Sequence, residues 1–311
     1  MTELKFQEEE YWKNYMENWY GTDLIDKWYE YAEEKWILSN DKELHIEVYK
    51  APNTNGKTCI FSHGIAGYAR LLLPFVIPLY ERGYNFIVPD LKGYGYNKGR
   101  RGDFEWNIHV ENLRDCVLYA KKIFDGKIIL GGGSMGGPLA YAAGARYGNI
   151  NALACWCLFD FQDKELIKKE TPLGRWNYVI LPLIDKMRFL IGKMRIRTQR
   201  LISYEHLTEE SILDLIEQDP HSGIYLTINA AVSLLTQSKF DTPFEDWDLP
   251  TLVLHPGADK MIPAKYSRRV FEKLGCEKKR YIEVEGAIHF PVERQYYDIW
   301  TSEFDEFFKD L

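Results

Sequence analysis

The chain has 311 residues, 46% hydrophobic and 27% charged, which is ordinary for a globular protein and long enough for one α/β unit with an insertion. A net charge of -7 gives no support for nucleic-acid binding; no run approaches the ~18 apolar residues of a membrane span, and the polar, acidic stretch Met1–Glu10 lacks the apolar core of a secretory signal, so a cytoplasmic location is expected. The five cysteines (Cys59, Cys116, Cys155, Cys157 and Cys276) are odd in number and form no C-x-x-C pair, which favours reduced buried thiols over disulfides or zinc.

Residues 1–35 read as a helical arm of two helices. Tyr11, Tyr15 and Trp19 share one face of the first, flanked by Trp12, Met16 and Tyr20. Gly21 stops it, and Leu24, Trp28 and Tyr31 continue an apolar stripe in the second. A β-hairpin follows, Lys35–Leu38 and His45–Tyr49 about a turn at Asn40-Asp41. The run Lys57–Ser62 reads as a central strand that ends in His63-Gly64-Ile65-Ala66-Gly67. A helix from Leu71 to Arg82, disturbed near Pro78, leads to a strand at Tyr84–Pro89 and a glycine-punctuated loop, Asp90 to Gly99. Glu105–Phe124 has the pattern of a long amphipathic helix with Ile108, Leu113, Val117 and Ala120 inward, and Lys127–Leu130 reads as a buried strand. This alternation predicts βαβ units, a mostly parallel sheet flanked by helices, and a site at the carboxyl ends of its strands.

Asn151–Phe159 reads as a further strand, which would point Cys155 and Cys157 to one face. The alternation then breaks. Residues 160–249 show no clear strand and read as helices, including Gly174–Ile191 and Glu209–Gln218, so they are expected to form a helical cap. Alternation resumes with strand Thr251–Leu254, helix Ala264–Leu274, strand Arg280–Val284 and helix Gln295–Lys309. The expected core is thus residues 36–159 and 250–311.

The segment Gly131-Gly132-Gly133-Ser134-Met135-Gly136-Gly137 carries the chemistry. A serine between glycines at a strand-to-helix corner matches G-x-S-x-G, where the turn is strained and side chains at the flanking positions would collide. Pro138 follows Gly137, so the Lys-Ser/Thr of a phosphate loop is missing. An activated serine needs a base and an acid that orients the base. His289 lies a short loop beyond the last strand, on the edge expected for Ser134. Asp259, beyond strand Thr251–Leu254, is the preferred acid, with Asp160 as the alternative. The N–H groups of Met135 and Ile65 are the candidate oxyanion donors. His63 is assigned to shaping its loop rather than to proton transfer.

His63-Gly64, Asp90 with Gly93 and Gly95, Gly-x-Ser134-Met135-Gly136-Gly137, Gly257-x-Asp259 with Pro263, and Gly286 with His289 together resemble the α/β-hydrolase superfamily. More narrowly, they are similar to its branch of monoacylglycerol lipases, lysophospholipases and serine aminopeptidase-like hydrolases. The resemblance covers about residues 57–309 outside the cap. Gly133 stands where the family often has His, and Asn97-Lys98-Gly99 where it often has Ser-x-Gly; both departures bear on the pocket, not on the reacting groups. The implied reaction is hydrolysis of a lipid-like or small acyl ester through an acyl-enzyme on Ser134, with neither metal nor organic cofactor. The alternatives are a peptidase or amidase with the same triad, and a ligand-binding protein that keeps the fold. A haloalkane dehalogenase is disfavoured, because it would carry Asp at position 134.

Substrate choice is expected to rest with the cap, where Trp176, Tyr178 and Phe189, with Leu190, are either an acyl-binding wall or the cap's own core. Lys186, Arg188, Lys193, Arg195, Arg197 and Arg200 form a basic cluster in an acidic chain. It is read either as a solvated face or as a contact with an anionic headgroup or membrane surface.

Overall fold

The computed structural model describes Tyr15, Glu17 and residues 21–171, 174–200, 207–208 and 210–311. Most of the first expected arm helix therefore lies outside the described residues, including Tyr11, Trp12, Met16, Trp19 and Tyr20. Helix α1 (Thr22–Tyr31) buries Leu24 and Trp28, as its apolar stripe requires. Strand β1 (Ala32–Ser39) starts directly after it, earlier than the expected Lys35, and pairs antiparallel with β2 (Lys42–Tyr49). Asn40 and Asp41 turn the hairpin with φ of 49° and 57°. Both central residues of a type I′ turn need positive φ, which Asn and Asp tolerate better than other side chains.

Strand β3 (Lys57–Ser62) leads through a 3₁₀ turn, Ala69–Leu72, into α2 (Leu73–Tyr80), which keeps Pro78 inside. After β4 (Asn85–Pro89) comes α3 (Trp106–Ile123). Leu113, Val117 and Ala120 face inward as expected, whereas Ile108 is half-buried and Trp106, Val110 and Cys116 take the core. Strand β5 (Lys127–Gly133), α4 (Gly136–Tyr147) and β6 (Ala152–Trp156) follow. Cys157 lies just beyond β6 with φ 75°, so it does not continue the strand alternation from Cys155.

The insertion after β6 holds α5 (Lys164–Glu170), α6 (Asn177–Lys186), the short α7 (Arg188–Ile191), β7 (Arg195–Arg197), α8 (Glu210–Gln218), β8 (Tyr225–Thr227) and α9 (Ile228–Thr236). Strands β7 and β8 pair antiparallel, so the cap is not purely helical. Strands this short cannot display a two-residue period, and their pairing joins distant segments. The core resumes with β9 (Thr251–Pro256), α10 (Ala264–Lys273), β10 (Lys279–Val284) and α11 (Arg294–Phe308).

Eight strands form one sheet in the order β1-β2-β4-β3-β5-β6-β9-β10. The hairpin is antiparallel to itself and to β4, and every other pairing is parallel. The central strands β3, β4, β6 and β9 are buried along their whole length, which is why consecutive apolar residues at their centres replace an apolar–polar alternation. This is the α/β-hydrolase fold: a mostly parallel sheet flanked by helices, with a largely helical cap inserted between β6 and β9. The parallel strands end at a common edge, where β5 delivers Ser134, the loop after β9 Asp259 and the loop after β10 His289.

Candidate active site

Ser134 occupies the corner between β5 and α4 with φ 54°, a conformation that L side chains adopt only under constraint. The constraint is visible in the flanking glycines. A Cβ on Gly136 would overlap the Ser62 carbonyl, and one on Gly132 would stand 2.6 Å from the Gly136 carbonyl carbon. The Ser134 amide donates to Trp156 O at 2.8 Å, and its carbonyl accepts from Gly137 N at 3.0 Å, closing the turn. Gly133 is different: a Cβ there would meet only the Phe290 ring at 3.5 Å and Trp156 Cβ at 4.0 Å.

His289 reaches this corner from a loop tied down on three sides. Gly257 N donates to Val284 O and Ala258 N to Ala287 O, each at 2.8 Å. The indole of Trp156 donates to His289 O at 2.9 Å. Phe290 N donates to Leu207 O of the cap at 2.8 Å. The imidazole is buried, with Nε2 2.8 Å from Ser134 Oγ and Nδ1 2.6 Å from Asp259 Oδ2. A proton on Nδ1 directed at the carboxylate leaves Nε2 free to accept from the serine hydroxyl.

Asp259 Oδ1 accepts from Met261 N at 2.8 Å and from Ile262 N at 2.9 Å. Burial raises the cost of its charge, but the His289 ring and these hydrogen bonds together hold the carboxyl below its ordinary range. Asp160, the alternative acid, turns back on its own loop and accepts from Gln162 N at 2.8 Å; burial pushes its carboxyl up. Cys157 Sγ, an Asp259 oxygen and a His289 nitrogen lie within 4.8 Å of one another, a donor set that a metal could use. The Asp259–His289 hydrogen bond already employs two of these atoms, however. Burial lifts the Cys157 thiol well above its usual range, so it would serve as a ligand only where a bound cation displaced its proton.

The loop after β3 presses on the serine, since a Cβ on Gly64 would lie 2.7 Å from Ser134 Cβ. Among the described residues, neither Ile65 N nor Met135 N is spent on a backbone acceptor. His63 Nδ1 donates to Gly64 O at 2.7 Å and Nε2 accepts from Leu91 N at 3.0 Å. Burial lowers this ring to about 4, so it is neutral and joins two loops. Beside them an apolar pocket is lined by Ile65, Leu71, Leu72, Leu207, Ile216 and Phe290.

Trp176, Tyr178 and Phe189, expected at the substrate, are 57%, 49% and 83% exposed and do not line that pocket. The inward positions of α6 are taken instead by Asn177, Ile180, Leu181 and Ile184. Leu71, Leu72, Leu207, Ile216 and Phe290, which do line the pocket, were not among the residues expected from the sequence. Phe290 was detectable as the neighbour of His289; the others carry no local signal.

The sequence profile of the family described as "Serine aminopeptidase, S33" matches residues 53–293. The chain belongs to this family of α/β-hydrolases. The AB hydrolase superfamily protein YisY of Bacillus subtilis is 21% identical over 252 residues, covering 79% of this chain and 90% of that protein. Among solved structures, a soluble variant of monoglyceride lipase from Saccharomyces cerevisiae superposes with a TM-score of 0.69 at 15% identity, covering 90% of this chain and 96% of the other. Paleococcus ferrophilus monoacylglycerol lipase gives 0.61 at 17% identity, with 84% and 99% covered. At these identities the S33 chain shares the fold of those lipases, which by itself leaves its substrate open.

Proposed function

We propose that this chain is a serine hydrolase that cleaves carboxylic esters, lipid-like or small acyl esters in the manner of a monoacylglycerol lipase or lysophospholipase. The observation that carries the reading is the hydrogen-bonded series Ser134 Oγ, His289, Asp259, with steps of 2.8 and 2.6 Å. His289 takes the proton as Ser134 attacks the carbonyl carbon, and the electron pair moves to the carbonyl oxygen. The N–H groups of Ile65 and Met135 receive that oxyanion. His289 then protonates the departing alcohol, and later deprotonates the water that releases the acid from Ser134. Asp259 stays ionised and stabilises the imidazolium. In this reading the expected core, 36–159 and 250–311, carries the chemistry and the expected cap, 160–249, supplies one wall of the pocket; strand β1 begins at Ala32, so the last four residues of the expected arm, 1–35, belong to the sheet.

A serine aminopeptidase is the second reading, favoured by the description of the family itself. Such an enzyme must hold a substrate ammonium, which calls for a carboxylate near the serine. The pocket's described lining is apolar apart from His63, Thr208 and backbone, and includes no Asp or Glu. It suits an acyl chain better. The deciding test is a panel of acyl p-nitrophenyl esters against aminoacyl arylamides, run with the wild type and Ser134→Ala. The ester reading requires turnover of acyl esters that vanishes in the variant. Turnover confined to arylamides would replace it with the peptidase, and ester turnover surviving in Ser134→Ala would remove the nucleophile assignment.

A further inference from the structure

Helix α6 reads Asn-Tyr-Val-Ile-Leu-Pro-Leu-Ile-Asp-Lys, apolar around nearly its whole circumference. A helix of that kind is ordinarily enclosed on every side. Here only one side is covered. Ile180, Leu181 and Ile184 are half-buried, while Val179 and Leu183 are more than half exposed. The exposure continues along the chain through Phe189, Leu190 and Met194, and begins before α6 at Trp176. Most of the large hydrophobic side chains exposed among the described residues fall in this one segment. Scattered exposed leucines are normal, but a concentration of this kind marks a contact surface.

Charge decides what the contact is with. Residues 174–200 contain seven Lys and Arg and a single acid, Asp185, in a chain whose net charge is -7. Asp185 pairs with Arg188. Lys186, Lys193, Arg195, Arg197 and Arg200 are exposed and have no acidic partner among the described residues. Arg195 and Arg197 stand over the Tyr225 ring, at 5.5 and 5.9 Å from its centroid, which holds them on the β7–β8 ribbon. A second copy of the chain is a poor occupant, since a two-fold contact would oppose these cations to themselves. Apolar side chains mixed with cations match the boundary of an anionic bilayer, where headgroups attract the cations and the acyl region takes the apolar tips. No helix among the described residues is long and apolar enough to cross a membrane. Ten residues of α6 span about 15 Å, half of a hydrocarbon core of roughly 30 Å, so the helix would lie in the surface.

We propose that the 174–200 face of the cap docks the protein on anionic lipid surfaces. The apolar tips enter the headgroup boundary while the cations set the preference for negative charge. Docking is independent of turnover, so it is read by binding alone and stands or falls separately from the ester reading. The test is sedimentation with vesicles of phosphatidylcholine, with and without phosphatidylglycerol. It uses the full chain, Val179→Ser/Leu183→Ser/Leu190→Ser, and Lys193→Gln/Arg195→Gln/Arg197→Gln, with unfolding midpoints to confirm that both variants fold. The wild type should favour the phosphatidylglycerol vesicles and lose affinity as salt is raised. Removing three cations should weaken that binding by roughly two orders of magnitude, and the serine variant should lose it as well. Three results would overturn the proposal: equal binding of the wild type to both vesicles, binding unchanged in both variants, or a wild type that forms dimers through this face and ignores vesicles. The salt response of the wild type needs no variant and keeps the test decisive if either variant misfolds.

Discussion

Two glycines beside Ser134 are fixed by space and a third is not. Gly132→Ala places a methyl group 2.6 Å from the Gly136 carbonyl carbon and 2.7 Å from Ser62 O, neither of which can move without opening the corner. Overpacking of that kind costs about 1–3 kcal/mol, so Gly132→Ala should lower the unfolding free energy by that amount in denaturant titrations. Gly133→Ala meets only ordinary van der Waals distances and should stay within about 0.5 kcal/mol of the wild type. Equal losses in the two variants would show that the corner is not close-packed as described. The acid makes a complementary prediction. Asp259→Asn keeps the size of the side chain but no longer fixes the proton on His289 Nδ1, so kcat should fall by roughly 10³–10⁴ with stability little changed. A loss under tenfold would point to another acid.

At the scale of elements, the loop carrying Ile65 is held from outside the core. Ser222 Oγ and Gly223 N, in the cap, both donate to Ala66 O, at 3.0 and 3.3 Å. Ala66 itself has φ 65°, a strained value for alanine. Just upstream in the cap, Asp219 Oδ2 accepts from Tyr68 OH at 2.6 Å and from Tyr15 OH at 3.1 Å. One buried carboxylate thus gathers the arm, the loop and the cap. Asp219→Asn weakens that junction without touching substrate. If the Ile65 amide binds an oxyanion, kcat on a small ester should drop roughly tenfold while KM hardly moves, because the contact strengthens only in the transition state. A change in KM alone would mean that the junction shapes the pocket instead.

The same elements show what the sequence could reveal. The strands, the glycine corner and the order Ser134, Asp259, His289 were legible because each is local: a run, a turn, a loop after a strand. The junction at Asp219 was not, since its three parts come from residues 15, 68 and 219 and nothing near any one of them names the others. The short strands β7 and β8 were hidden for the same reason. The exposure of Trp176, Tyr178 and Phe189, away from the apolar pocket, has another cause. Apolar composition says that a helix wants cover on some side, and here the helix is apolar on nearly every side, so the pattern could not choose the covered one.

Across the whole molecule, a buried charged network joins α1, the hairpin and the two loops that lead to the site. Glu47 accepts from Trp28 Nε1 at 3.0 Å, Tyr49 OH at 2.7 Å and Arg70 Nε at 3.0 Å. Glu34 pairs with Arg70 and with His45 Nε2, and His45 Nδ1 lies 2.8 Å from Asp90 Oδ2. Asp90 also accepts from Ala69 N and Tyr96 N, so it pins both loops. Burial pushes the His45 ring down, but Asp90, Glu34 and Glu47 outweigh it and raise it from 6.5 to about 9. A raised histidine contributes stability that is complete below its unfolded value and disappears as pH climbs through the folded one. The unfolding midpoint of the wild type should therefore fall between pH 6.5 and about 9, and that of His45→Gln should fall less. Parallel curves would mean that His45 is not charged in the folded protein.

The central claim is that Ser134 is made nucleophilic by His289. It is tested most directly by exposing the wild type, Ser134→Ala and His289→Ala to a fluorophosphonate, followed by mass mapping of the adduct. The account predicts one covalent phosphonyl adduct in the wild type, on Ser134, absent from Ser134→Ala and formed far more slowly in His289→Ala. A wild type that stays unlabelled while folded, or labelling of Ser134 that proceeds equally fast without His289, would contradict it.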